Sequence, residues 1–200
     1  MIDSEVEASR IIDFLLYIGK LKTLKRTGWV RSGVNLPESD SDHMHRAAIC
    51  AMLIPADGSV NRDRCIKMAL THDVCECIAG DFTPHCPVTK TEKHRLEREA
   101  LVTLRDVLGE ANGLGDELLS LFDEYEKGQS AEAVLVKDID KFELILQAYE
   151  YEQAQEGLDL EQFFASTRDC FKTNLFQSLE KEVRIRHDSF LDRRQTSKYD

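Results

Sequence analysis

Positive charge is scarce in this chain. Its 200 residues carry 26 lysines and arginines against 37 aspartates and glutamates, a formal net charge of −11. An acidic surface repels phosphate backbones, which argues against a nucleic acid polymer as partner. A small phosphorylated ligand held by one or two local cations stays open. Long apolar runs are also missing. None approaches the roughly 20 residues of a membrane span, so no membrane partner is expected. The first residues, MIDSEVEASRIIDF, are acidic and lack the basic start of a secretory signal. The six cysteines are scattered, with Cys50, Cys65 and Cys170 inside apolar-patterned segments. Cys75 and Cys77 stand too close for a zinc knuckle and have no second pair nearby. They read as reduced thiols of a cytoplasmic protein. Repeats, low-complexity tracts and alternating strand-like runs are absent as well.

What is present is helical periodicity. Ala8–Gly28 reads as a first helix and Asp42–Pro55 as a second, opened by the polar cluster Ser39–Asp42. Ala47, Ala48 and Ala51 on that second helix permit close helix approach. Asn61–Gly80 reads as a third continuous helix, followed by a loop holding Pro84 and Pro87. Thr89 and Glu92 have the spacing of a capping box before a highly charged helix. Leu114–Gly128, Ser130–Gln155, Leu158–Thr167 and Asp169–His187 complete the series. The expected fold is all-α, a compact single domain over residues 1–187 with a polar tail over 188–200. At about this length a chain buries roughly 70% of its unfolded surface, enough for a core without staples.

The third segment interrupts its own pattern. Ile66, Ala69, Leu70, Val74 and Ile78 form an apolar stripe, and Asp73 falls in its middle. A buried carboxylate is costly unless paired or bound to metal. His72 is its neighbour, and Glu76 lies i+4 from His72 and i+3 from Asp73, which on one helix places it over the same spot. Taken alone, a His-Asp dipeptide is more often a core histidine beside an ion-paired aspartate. Two further candidates strengthen it: His43 at the start of the second helix, and Asp138 or Asp140 in the late helix. There Leu135, Ile139, Phe142 and Leu146 mark a buried face, and spacing alone does not choose between the two aspartates. Two imidazoles and two carboxylates suit a divalent transition metal with open positions for water.

One His, a later His-Asp pair and a distant Asp resemble the HD-domain metal-dependent phosphohydrolases. The segments LKRTGWV, PESDSDHMHRAA, NRDRCIKMALTHDVCECIAGD, EKHRLEREA and SAEAVLVKDIDKFELILQAYEYE narrow the likeness to the HD domain-containing protein 2 group, related to bacterial 5′-deoxynucleotidases. It runs from about Phe14 to Thr167. The resemblance implies a helical HD-domain fold with the metal between helices, usually dimeric. It implies His43, His72, Asp73 and Asp140 as ligands of one divalent ion (Co, Mn, Fe, Zn, Ni or Mg), choosing Asp140 over Asp138. Glu76 matches the residue that steers or deprotonates the attacking water. Asp81 matches a contact to the sugar hydroxyl, and Trp29 an aromatic that excludes the ribose 2′-hydroxyl. The bacterial enzymes place a phosphate-binding arginine just before that tryptophan. Gly28 stands there here, so Arg26 is assigned to phosphate with Arg31 as its competitor. The implied reaction is hydrolysis of deoxyribonucleoside 5′-monophosphates.

Other readings exist for each residue. Trp29 suits core packing, Asp81 a turn or cap, Glu76 a solvated helix face. His45, His85, His94 and His187 read as surface or packing histidines. Guanosine tetraphosphate hydrolases resemble the same family but carry a carboxylate straight after the glutamate, where this chain has Cys77. A non-catalytic, metal-stabilised regulatory module is the third reading, disfavoured by Glu76 beside the four ligands.

Overall fold

Side-chain caps start the helices where the sequence supplies them. In the computed structural model, which describes residues 4–55, 58–84, 86–109 and 113–196, Ser39 and Asp42 form a reciprocal capping box. Asn61, Thr89 and Ser130 each accept a backbone N–H three residues on. Each such cap stabilises its helix by about 1 kcal/mol. The described residues form α-helices without strands: α1 (Ser4–Gly19), α2 (Thr27–Arg31), α3 (Asp40–Met52), α4 (Arg62–Thr71), α5 (Glu76–Ala79), α6 (Lys90–Leu108), α7 (Leu114–Lys127), α8 (Ala131–Ala154), α9 (Glu161–Ser166) and α10 (Asn174–Thr196).

Two apolar cores organise the chain. One gathers residues of α3, α4, α8, α9 and α10, including Ala47, Ala51, Met68, Ile139, Phe164 and Phe176. The other joins α1, α5, α6 and α7 through Phe14, Leu21, Leu104, Leu118 and Phe122. Ala47 and Ala51 are fully buried where α3 meets α4, as their small size allows.

The expected helix over 61–80 is not continuous. Met68 and Ala69 pack in the first core, whereas Val74, Cys75 and Cys77 pack in the second. A straight helix cannot present successive turns to both. Between α4 and α5 the chain tightens instead. Val74 N–H donates to Thr71 O, Glu76 N–H to Asp73 O and Cys77 N–H to Val74 O, all three-residue bonds. In such 3-10 winding, residues i and i+3 eclipse. Asp73 and Glu76 therefore share a face. The anticipated apolar stripe is corrected too: Leu70 and Ile78 are exposed, and Cys65, Met68 and Ala69 face the core.

Two further boundaries differ. The first predicted helix stops at Gly19, passes through a 3-10 turn over Lys20–Lys22, and leaves Gly28 inside α2. The stretch 188–196, expected as tail, continues α10, and Arg194 donates to Leu158 O. Among the described residues no helix is long and apolar enough to cross a membrane.

Candidate metal centre and active site

His43 comes from the first turn and a half of α3, His72 from the C-terminal cap of α4, Asp73 from the tight turn after it, and Asp140 from the middle of α8. Three segments distant in sequence thus meet. His43 Nε2 lies 3.2 Å from His72 Nε2 and 3.2 Å from Asp140 Oδ1. His72 Nε2 lies 3.3 Å from Asp73 Oδ2. The other cross distances, His43 to Asp73 and His72 to Asp140, are both 3.9 Å. Asp138, the alternative on α8, faces away. Its carboxylate accepts from Lys172 N–H, Thr173 N–H and the Thr173 hydroxyl, which ties the α9–α10 connection to α8.

Protonation decides what this cluster needs. Each imidazole commits Nδ1 to an acceptor: His43 to Glu143 Oε2 at 2.5 Å, His72 to the carbonyl of Ala69 at 2.9 Å. Neither acceptor can donate, so both rings carry the proton on Nδ1. Both Nε2 lone pairs then face each other and two carboxylates. A cation between them satisfies all four; protein alone does not. The charge balance agrees. Burial and Arg26 work to lower the His43 pKa, yet Glu143 and Asp140 outweigh them and raise it to about 10. The carboxylates around the two rings thus favour positive charge at this point. The donor set of two imidazoles and two carboxylates fits a divalent ion of the transition series.

Beside it lies a second acidic group. Asp40, Glu76 and Asp81 each direct a carboxylate oxygen to within 4.8 Å of the others. Asp40 is fully buried against Glu76, and among the described residues no N–H or hydroxyl donor reaches its oxygens or Oε2 of Glu76. Burial pushes Asp40 up to about 6. Burial, and then the charges of Asp73, Asp40 and Asp81, drive Glu76 well above the ordinary carboxylate range. These carboxylates also can hold a cation, and Glu76 sits between the two groups. The solvated-face reading of Glu76 is wrong: the residue is buried.

Arg26 enters from the N-terminal cap of α2 and donates Nη1 to Asp73 Oδ2 at 3.0 Å. Asp81 accepts the Thr27 N–H at 2.5 Å, so its capping role is real while its residue also lines the cleft. Trp29 is buried, with Nε1 donating to Glu38 and its ring 4.4 Å from that of Phe163. All of these border a cleft of about 820 Å³ whose floor holds His72, Asp73 and Asp140. Arg31 lines the same cleft from the exposed end of α2. His187 pairs with Glu152 inside the protein and His94 stacks on Phe122, both away from the cluster. His85 lies outside the described residues.

A family profile described as an HD domain matches residues 18–180 of the chain. The chain belongs to the HD-domain family. Among relatives of this HD domain, the 5′-deoxynucleotidase HDDC2 of Dictyostelium discoideum is 49% identical over 186 residues, covering 88% of this chain and 97% of its own. The human 5′-deoxynucleotidase HDDC2 is 44% identical over 180 residues, covering 88% and 87%. Among solved structures, the HD domain-containing protein YGK1, a protein of Saccharomyces cerevisiae, superposes with a TM-score of 0.71 at 30% identity, covering 96% of each chain.

Several residues that shape the HD site were not singled out from sequence. Glu143 orients His43 and is held in turn by Arg46, which also reaches Gln147 and Glu150. Tyr125 donates its hydroxyl to Asp140 Oδ2 at 3.0 Å and sets its ring against His72. Phe163 adds to the cleft wall, Glu38 holds Trp29 from behind, and Asp40 lies beside Glu76 and Asp81. Glu143 carried a readable signal, a carboxylate on the apolar face marked by Ile139 and Phe142. Tyr125 carried none, because an amphipathic helix places tyrosine at its boundary for packing alone.

Proposed function

We propose that this HD domain is a metal-dependent 5′-deoxynucleotidase, converting deoxyribonucleoside 5′-monophosphates to deoxyribonucleoside and phosphate. The observation that carries the reading is the convergence of His43, His72, Asp73 and Asp140 on one point in the cleft floor, with Glu76 beside it. The names of the relatives support the substrate class.

His43, His72, Asp73 and Asp140 would hold one divalent cation, whether Mn, Co, Fe, Zn, Ni or Mg. When bound, that cation supplies Lewis-acid charge and lowers the pKa of water in its shell. Glu76 receives the proton of the attacking water. The face it shares with Asp73 in the tight turn sets its carboxylate beside the proposed metal site, in reach of that proton. The water oxygen bonds to phosphorus, the bond from phosphorus to the 5′ oxygen breaks, and the leaving oxygen takes up a proton from solvent in the cleft while Glu76 releases its own to solvent, so that nucleoside and phosphate depart. Arg26 offsets charge on the phosphoryl oxygens while holding Asp73 in place. Asp81, fixed through Thr27, accepts from a sugar hydroxyl. Trp29, held by Glu38 and backed by Phe163, is the wall this reading assigns to excluding a ribose 2′-hydroxyl. A cytoplasmic homodimer is part of the same proposal and rests on the family likeness.

Purified protein supplied with Mn²⁺ or Co²⁺ is expected to release phosphate from dAMP or dTMP much faster than from AMP. Survival of every nucleotide intact overturns the reading.

A further inference from the structure

The cleft is crowded with carboxylates, yet its proposed substrate is a phosphomonoester dianion. Which side chains face that charge is decided by which cations are already engaged. Arg26 shares its charge between Asp73 and the phosphate, and Arg31 reaches the cleft from the exposed end of α2. Lys93 donates to Phe82 O at 3.0 Å and sits 3.3 Å from Glu97. Lys137 also lines the cleft, one helical turn before Asp140 on α8, and no carboxylate among the described residues pairs with it. Its ammonium instead rests over the Tyr125 ring, 4.3 Å from the centroid.

That posture is built. Tyr125 connects it to the metal centre, because the ring under Lys137 is the one whose hydroxyl donates to Asp140. Gly128 ends α7 with φ +60°, and a Cβ there would lie 2.9 Å from Lys137 Cε. The glycine therefore supplies both the left-handed turn and the space for the lysine stem. A cation held by an aromatic face keeps its hydrogen-bond donors for a ligand, whereas a salt bridge uses them.

We propose that Lys137 is a phosphate-binding residue of this site, presented by the Tyr125 ring and the gap at Gly128. It engages a non-bridging oxygen of the substrate phosphate and of the phosphate product. The proposal deepens the 5′-deoxynucleotidase reading and rests on it.

The test compares Lys137→Met and Lys137→Arg with wild type, each loaded with Mn²⁺. Steady-state hydrolysis of dAMP is measured together with inhibition by inorganic phosphate and, separately, by deoxyadenosine. Losing a charge-assisted hydrogen bond corresponds to roughly a ten- to hundredfold effect. Lys137→Met is expected to raise KM for dAMP and the inhibition constant of phosphate by about that factor, with deoxyadenosine inhibition unchanged. Lys137→Arg restores most of the phosphate affinity. Thermal melting and manganese content of both variants match wild type. If wild type hydrolyses dAMP and Lys137→Met binds phosphate equally well, Lys137 is not the phosphate grip and the enzyme reading stands. If phosphate and deoxyadenosine inhibition weaken together, the residue acts through pocket structure and the proposal fails. A wild type without activity on any deoxynucleotide overturns both readings.

Discussion

Two buried polar regions meet along α8, and they are constructed in opposite ways. Around Asp138, every acceptor is answered: Lys172, Thr173 and its hydroxyl converge on one carboxylate, and about four turns further along the same helix Glu152 pairs with His187 and with the Leu160 N–H. Around Asp140, two residues on, ring nitrogens and carboxylate oxygens from three segments crowd one point. Imidazole Nε2 atoms oppose each other and two carboxylates, and among the described residues no donor reaches the oxygens of Asp40 or Oε2 of Glu76. Unpaired buried polar groups cost about 1–3 kcal/mol each. The closed region is structural. The open one spends stability on an arrangement that only a ligand completes.

Breaking the open region should change chemistry, and breaking the closed one should change folding. The largest effect is expected for Asp73→Ala, with phosphate release from dAMP falling about a thousandfold, and bound metal lost, in a protein whose circular dichroism is unchanged. A mutant retaining wild-type turnover would erase the contrast. Asp138→Ala should do the reverse. It orphans the donors of Lys172 and Thr173, lowering unfolding stability in urea by about 3 kcal/mol while the folded fraction keeps its activity. Glu143→Gln sharpens the boundary between the regions. The carboxylate that fixes His43 Nδ1–H is buried, and its loss is expected to weaken Mn²⁺ binding by calorimetry about 10- to 100-fold. Unaltered affinity would make Glu143 merely a partner of Arg46.

The smallest effect lies outside both regions. The Arg64 guanidinium, against a small opposing contribution from burial and with help from Ser130, holds Glu124 below the usual carboxylate range. A folded pKa below the unfolded one stabilises at pH values above the unfolded pKa. That contribution fades as pH falls through the folded value. Glu124→Gln should therefore cost about 0.5 kcal/mol at neutral pH and nothing in strong acid, read from melting curves between the two. A loss that persists in acid would assign Glu124 a packing role.

How much of this the sequence disclosed depended on locality. The helix starts, the long α8 and the all-helical architecture follow from short-range spacing, but the expected Thr89–Glu92 box forms by half: Thr89 accepts the Glu92 N–H while the Glu92 carboxylate pairs with Arg95. The four proposed ligands were legible only through resemblance, since periodicity treats Asp138 and Asp140 alike. Their opposite orientations are set by where α10 and α3 pack. The break after Thr71 was hidden as well. Thr71–Glu76 contains neither proline nor glycine, and the tightening arises because one segment serves two cores. Glu76 was placed over the site for the wrong reason: eclipsed 3-10 winding, not an α-helical turn, aligns it with Asp73.

The central claim is that His43, His72, Asp73 and Asp140 surround one cation. Anomalous diffraction at the cobalt edge, on crystals of Co²⁺-loaded protein, tests it most directly. The account predicts a peak roughly 2 Å from Nε2 of both histidines and from one oxygen of each aspartate. Cobalt bound elsewhere, with those four side chains still packed on each other, would contradict it.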